Sequence, residues 1–387
     1  MSLLSGLKPD LDIAAEFQVR DDVIYLNHAM ASPWPKRTAE AVRLFADENA
    51  FQGQFDLLNW VPVEQELRMR LRRLINADSV DDIAIVKNTS EGISAVAMGL
   101  DWAAGQNVVL PVQEFPANRV PWDTVAAAGV DVRKVDIYAS DDPEQALMDA
   151  CDDDTRVLAV SSVQFATGLR MDVERLGRFC RGYGILFVVD AIQSAGALPL
   201  DVHAMKCDFL VFGSQKWLLG PEGVACLWSH PDARAAVTPV EFGWRSRQDL
   251  FEYDRPEWEL EHSARKFECG TQNTLGMRGV NASLSLFEDL GMSRVTDDLL
   301  ARASYLTEAA SAHEGITLCS SPLPERRSGI VVLKPANGDV DGLHRHLMDN
   351  KVFCAKRGGG VRLSPHFYTP MARLEHVMEL VDGFVRA

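Results

Sequence analysis

At 387 residues the chain is too long for one simple core, and at roughly 150 residues per domain it should hold two or three domains. Its 47% hydrophobic and 24% charged content is that of an ordinary soluble globular protein. A net charge of −16 sets its surface against nucleic acid and anionic membranes, so any cationic group that binds a ligand must be local.

The opening stretch MSLLSGLKPDLD lacks the basic start, apolar core and cleavage site of a secretion signal, and no apolar run is long enough to span a bilayer. The cysteines, at 151, 180, 207, 226, 269, 319 and 354, are scattered and form no C-x-x-C pair. A cytoplasmic protein with neither a disulfide frame nor a metal site is therefore expected.

Along the chain, short apolar runs alternate with helix-period segments. Residues 36–51 and 64–75 read as helices, 83–86 as a strand, and 91–100 as a helix. Strands follow at 108–110, 132–135, 157–160, 185–189, 209–212 and 224–228, with helices at 118–128, 143–151 and 172–183 between them. Such continuous apolar strands predict an α/β protein with a mostly parallel seven-stranded sheet covered on both faces. After about residue 235 a charged, aromatic stretch leads to a long helical region at 275–312, strands near 330–333 and 361–363, and a last helix at 371–385. The expected division is a large α/β domain over 20–265 and a smaller α+β domain from 1–19 and 266–387.

Parallel sheets bind ligands at the carboxyl ends of their strands, and four features cluster at such ends. Lys216, in DFLVFGSQKWLLGPEG, follows an apolar strand and precedes Trp217, Leu218 and Leu219. A buried lysine loses its proton readily and becomes a Schiff-base former, although a surface lysine after a strand is the commoner arrangement. Asp190 closes the strand ILFVVD, where a carboxylate needs a cation such as a pyridinium nitrogen, or else serves as a turn or cap. Gln193 lies one short turn further, within reach of a ring hydroxyl. In KNTSEGISAVAMGL, Thr89 and Ser90 open a helix, which makes either an anion site or an ordinary cap. Arg362, in VRLSPHFYTP, has the planar fork suited to a carboxylate, or to a surface ion pair.

In this order and spacing the features resemble the class V aminotransferases, the fold-type I group of pyridoxal 5′-phosphate (PLP) enzymes that also holds cysteine desulfurases, kynureninases and isopenicillin N epimerase-like proteins. The likeness runs from YLNHAMASPWP at Tyr25 to RLSPHFYTP at Arg362. Its most specific part pairs VVDAIQSAGALPLDV with DFLVFGSQKWLLGPEG and FECGTQN. The resemblance implies that Lys216 is the Schiff-base lysine, Asp190 the partner of the pyridine nitrogen, and Gln193 the neighbour of the ring hydroxyl. It places Ser90, Ser214 and Gln215 in a phosphate cup with Thr89 close by, and Gln164, in SSVQFATG, beside the ring. Thr271 matches a threonine that reaches the phosphate of the neighbouring subunit, which implies a homodimer with shared active sites. His28 joins Arg362 as an expected substrate contact, and Trp34, Arg357 and His366 are further candidates.

Two departures bear on the reaction. Phe115 stands where desulfurases carry a stacking histidine, and it can stack but cannot transfer protons. Glycines, in VFCAKRGGGVRLSPHF, stand where a mobile-loop cysteine would be, with Cys354 inside a strand. The expectation is therefore an aminotransferase acting on an amino acid, with an epimerase or lyase of the same family close behind and a desulfurase disfavoured. A catalytically silent binding protein is the remaining alternative, and the intact set of Asp190, Gln193 and Lys216 argues against it. The acidic chain leaves no room for the basic domain of a PLP-dependent transcription regulator.

Overall fold

The computed structural model describes residues 7, 8, 10–53, 55 and 60–386, so residues 1–6, 9 and 387 of the expected smaller domain lie outside it. The apolar runs become strands, in chain order Ile24–Tyr25 (β1), Ile83–Val86 (β2), Asn107–Pro111 (β3), Asp131–Val135 (β4), Thr155–Ser161 (β5), Leu186–Asp190 (β6) and Phe209–Gly213 (β7). Ala225–Ser229 (β8), Ile316–Leu318 (β9), Val331–Pro335 (β10), Val352–Phe353 (β11), Ala355–Arg357 (β12) and Gly360–Leu363 (β13) complete the set among the described residues.

Seven strands form one sheet in the order β2-β8-β7-β6-β5-β3-β4, with β8 antiparallel to both neighbours. Alternate side chains leave opposite faces, as the period of a strand dictates. Phe187, Val189, Leu210 and Phe212 join one core, while Val188, Phe209 and Val211 join the other. The fold is the expected α/β, fold-type I arrangement with a mostly parallel seven-stranded sheet.

A second sheet, β12-β13-β10-β9, is antiparallel throughout and encloses its own core with Leu306, Leu343, Leu374 and Val377. β1 and β11 form a separate parallel pair, and an isolated bridge from Asn27 to Ser364, just after β13, ties the YLNHA segment to the second sheet.

Two expected helices are broken, each for a visible reason. Residues 118–128 become a 3-10 turn, a five-residue helix Val120–Thr124 and a second 3-10 turn, because Pro116 and Pro121 start new helical turns and Gly129 ends the last at φ 81°. The helical region at 275–312 divides at Gly291, φ 80°, into Thr274–Leu290 and Met292–Ser311. Among the described residues no helix is long and apolar enough to cross a membrane.

Candidate active site

The carboxyl ends of β2, β3, β5, β6 and β7 bring the key residues together. The β2 end leads to Thr89, the β3 end to Glu114 and Phe115, the β5 end to Gln164, the β6 end to Asp190, and the β7 end to Lys216. In the sheet register Ser161 lies beside Asp190, and Asp190 beside Val211.

Lys216 is 9% exposed, and the three residues after it are buried. Burial pushes its ammonium below the ordinary lysine range; Asp190 opposes that shift and Arg362 adds to it. Asp190, 1% exposed, is pushed up by burial, against a 2.9 Å hydrogen bond donated by the Ile192 amide. The Lys216 Nζ lies 5.6 Å from the ring centroid of Phe115, a residue that is 42% exposed.

The turn carrying the lysine is strained and tightly tied. Leu219 adopts φ 59°, a left-handed conformation that is costly for a branched residue, and its amide bonds the Lys216 carbonyl at 3.0 Å. The Gly220 amide closes the same turn on Ser214 O at 2.9 Å. Ser214 turns its hydroxyl into this loop, against the carbonyls of Pro221 and Val224. Gln193 is clamped from both ends, since it donates to Ala29 O at 3.0 Å and accepts from the Trp217 indole at 2.8 Å. Gly196 has to be glycine here: its φ is +88°, and a Cβ would sit 2.5 Å from Trp217 O.

Four buried polar atoms around this cluster lack a protein partner: Ser32 Oγ, Thr89 Oγ1, Gln164 Oε1 and Arg362 Nε. Buried polar groups are almost always satisfied, so such atoms mark where a polar ligand would bind. Thr89 is informative because the cap of its helix, Thr89–Gly99, is Asn88, whose side chain accepts from the Glu91 amide. The threonine hydroxyl is thus spare at a helix N-terminus, where a phosphate fits. Ser90 beside it is exposed, Gln215 is half-buried, and Thr271 is exposed on the surface of the chain.

Arg362 comes from β13 of the second sheet and reaches across to Phe165 O at 2.7 Å. It is 4% exposed, no carboxylate lies within ion-pair distance among the described residues, and burial lowers its pKa to about 10. A buried guanidinium without an acid partner is costly unless an anionic ligand completes it. The chain approaches this strap closely through Gly358, φ +60°, where a Cβ would meet Ala166 O at 2.5 Å.

His28 is fully buried, with Nδ1 against Ser364 O and Nε2 against Tyr368 Oη, both at 2.7 Å. The carbonyl contact requires a proton on Nδ1, so the tyrosine hydroxyl donates to Nε2 and neither nitrogen is free. His366 is buried in the same way against Trp217 O, while Trp34 and Arg357 are exposed. Sequence reasoning passed over Glu114, although an acid just beyond the end of β3 follows the same logic as Asp190 at the end of β6. It also passed over Ser32, whose buried hydroxyl lacks a partner while its amide bonds Gln215 O at 2.9 Å.

The donor set fits PLP: a spare hydroxyl at a helix N-terminus for a phosphate, a buried carboxylate for a ring nitrogen, an exposed aromatic residue for stacking, and a lysine amine beside it.

A family model described as Aminotransferase class-V matches residues 24–386. A probable cysteine desulfurase of Methanothermobacter thermautotrophicus is 30% identical over 96% of this chain and 97% of its own length. Among solved structures, the apo cysteine desulfurase of Thermococcus onnurineus NA1 has a TM-score of 0.85 at 23% identity, covering 98% of this chain and 99% of that one. The complex of the cystine C-S lyase C-DES with its reaction product cysteine persulfide scores 0.86 at 23% identity, covering 94% and 98%.

These relatives overturn the expectation of an aminotransferase, because they are named for chemistry at a carbon–sulfur bond. The disfavoured reading was the better one. Beside these relatives, Phe115 and the glycines at 358–360 carry no weight in favour of transamination.

Proposed function

Since the chain belongs to the class V aminotransferase family and its cofactor is PLP, we propose that it cleaves the Cβ–S bond of cysteine or of a cysteine disulfide. PLP, when bound, acts as an electron sink that makes the α-proton of an attached amino acid removable. The single observation that carries the reading is Lys216: a buried amine whose ammonium form is disfavoured, opposite the buried carboxylate of Asp190.

In this reading Asp190 keeps a proton on the ring nitrogen, and Phe115 holds the ring face. Thr89, Ser90 and Gln215 surround the phosphate, while Gln164 and Gln193 flank the ring; Ser214, expected in the same cup, instead spends its hydroxyl on the carbonyls of the lysine loop. Arg362 takes the substrate carboxylate with its free guanidinium edge. Lys216 Nζ takes the α-proton, after which the sulfur departs from Cβ as an anion.

The cysteines bear on where the sulfur goes. Cys151, Cys180, Cys207, Cys226 and Cys354 belong to or pack against two apolar cores, and burial raises all seven thiols, the half-buried Cys269 and Cys319 included, with Cys354 pushed up to about 12. A thiol in that state offers almost no thiolate to receive sulfur. The balance is then an elimination: the substrate loses the sulfur group from Cβ, and water releases pyruvate and ammonia. A persulfide, as the more acidic thiol, leaves more easily than a thiolate, which favours a disulfide substrate.

Incubating the holoenzyme with L-cysteine and with L-cystine, then quantifying pyruvate, alanine and sulfide, tests the proposal. Pyruvate is the expected product, and alanine with alkylation-sensitive turnover would replace elimination by transfer to a protein thiol. Conversion of the cofactor to its aminated form without loss of sulfur would sink the reading altogether.

A homodimer belongs to the same proposal, with the exposed Thr271 completing the phosphate site of a second copy. Mixing inactive Lys216→Ala and Thr271→Ala chains should restore activity at one site per mixed dimer. The reading also keeps a large domain over 20–265 and a small one from 1–19 and 266–387.

A further inference from the structure

Glu114 lies just beyond the end of β3 and is 2% exposed. Its carboxylate receives the Ser161 amide at 2.7 Å, the Ser161 hydroxyl, the Gln164 amide nitrogen at 2.8 Å and the Asn118 amide nitrogen at 3.1 Å. Four donors fill the capacity of one carboxylate. No cation lies within ion-pair distance among the described residues; burial raises the Glu114 carboxyl, and these hydrogen bonds alone oppose that shift and favour the carboxylate.

The Gln164 contact has a consequence for the site. A side-chain amide can rotate to exchange its oxygen and nitrogen, and the neighbouring groups decide which end points where. A carboxylate can only accept, so Glu114 binds the Gln164 nitrogen and turns the oxygen the other way. That oxygen is buried without a partner, on a residue that is 0% exposed. Gln164 immediately precedes Phe165, which packs on Phe115 at 5.1 Å between ring centroids and whose carbonyl receives Arg362.

We propose that Glu114 is a positioning residue: it fixes the amide of Gln164 so that the carbonyl oxygen, and not the amino group, faces the bound cofactor. Presented this way, Gln164 is an acceptor and favours the protonated state of the group it meets. The titratable and charged groups around the pair are Asp190, Lys216, Arg362 and Tyr138, and Glu114 raises both Asp190 and Tyr138. The inference rests on the cofactor and not on the bond that is cleaved, because its test needs no substrate.

The test is a pH titration of the visible absorbance of the holoenzyme without substrate, alongside thermal melting of each variant. Gln164→Leu removes the acceptor and should lower the midpoint of the visible band by about one pH unit. Glu114→Gln frees the amide to rotate and should lower the midpoint similarly. In the Gln164→Leu background the second change should add nothing, since both act through one oxygen.

Glu114→Asp provides a second test should Glu114→Gln fail to fold. It keeps the charge but shortens the reach by one methylene, so the midpoint should fall as in Glu114→Gln. An unshifted midpoint in Glu114→Asp, or additive shifts in the double variant, would show that Glu114 acts through its charge and would overturn the proposal. Lower melting temperatures with unchanged midpoints would reduce it to a structural residue.

Discussion

The indole N–H of Trp217 donates to Gln193 Oε1 at 2.8 Å, which joins the residue after the site lysine to the turn after Asp190. The two ends of the β6 and β7 strands are thereby held in one relative position. Trp217→Phe removes the donor and leaves a buried oxygen unpaired, at a cost of about 2 kcal/mol. Thermal melting should fall accordingly, and the PLP dissociation constant should rise about five-fold, which corresponds to roughly 1 kcal/mol. An unchanged dissociation constant would mean that the clamp serves folding alone.

Arg362 is buried without an acid, so removing it relieves an unpaired charge in the ligand-free protein. Arg362→Met should leave the melting temperature of the apo-protein level or raise it, while KM for amino acids rises by about 100-fold or more. A large drop in stability with an unchanged KM would assign the guanidinium to the fold.

His28 gives the protein a predictable acid limit. Its ring is held at about 4 by burial, against 6.5 in the unfolded chain. Between those values the unfolded state binds the extra proton, so stability falls as pH drops through the window. The loss from this residue is at most about 3 kcal/mol, and His366, lowered by burial in the same way, adds to it. Denaturant midpoints measured from pH 7 to 4 should decline, and less steeply in His28→Gln.

Glu268 is the centre of a buried ion network, accepting from Arg68 at 2.6 and 2.8 Å, from Arg245 at 3.1 Å and from the Ile85 amide at 2.8 Å. It stands three residues before Thr271. Glu268→Ala leaves Arg68 and Arg245 to share the half-buried Glu64 and strips the Ile85 amide of its acceptor, and should cost about 2–3 kcal/mol, read by chemical denaturation. Replacement of Arg68 by Met in that background should recover part of the loss.

Cys354→Ser tests the route of the sulfur directly. The thiol is 4% exposed within the second core, so the substitution should lower stability slightly and leave the turnover of cysteine and cystine intact. Abolished turnover would return Cys354 to the role of sulfur acceptor.

The sequence by itself determined the seven-stranded sheet, because strands buried on both faces must be continuously apolar, and chain-order patterning records that directly. It also determined the lysine, the aspartate and the family, since these lie in short local motifs such as VVDAIQSAG and VFGSQKW. The breaks at Pro116, Pro121 and Gly291 were legible in principle, but a helix-period pattern outweighed single residues. The reaction was not legible, because the α-proton step uses the same residues whichever bond breaks next; the relatives corrected it.

Only the tertiary structure decided which polar atoms are spare. Asn88 takes the cap and frees Thr89, Ser364 and Tyr368 saturate His28, and Glu114 turns the oxygen of Gln164 outward. The Thr89 case is settled within one helical turn, but the other two depend on partners far apart in the chain, such as the 50 positions between Glu114 and Gln164. Hydrogen-bond satisfaction is a property of neighbours in space, and a linear pattern carries none of it.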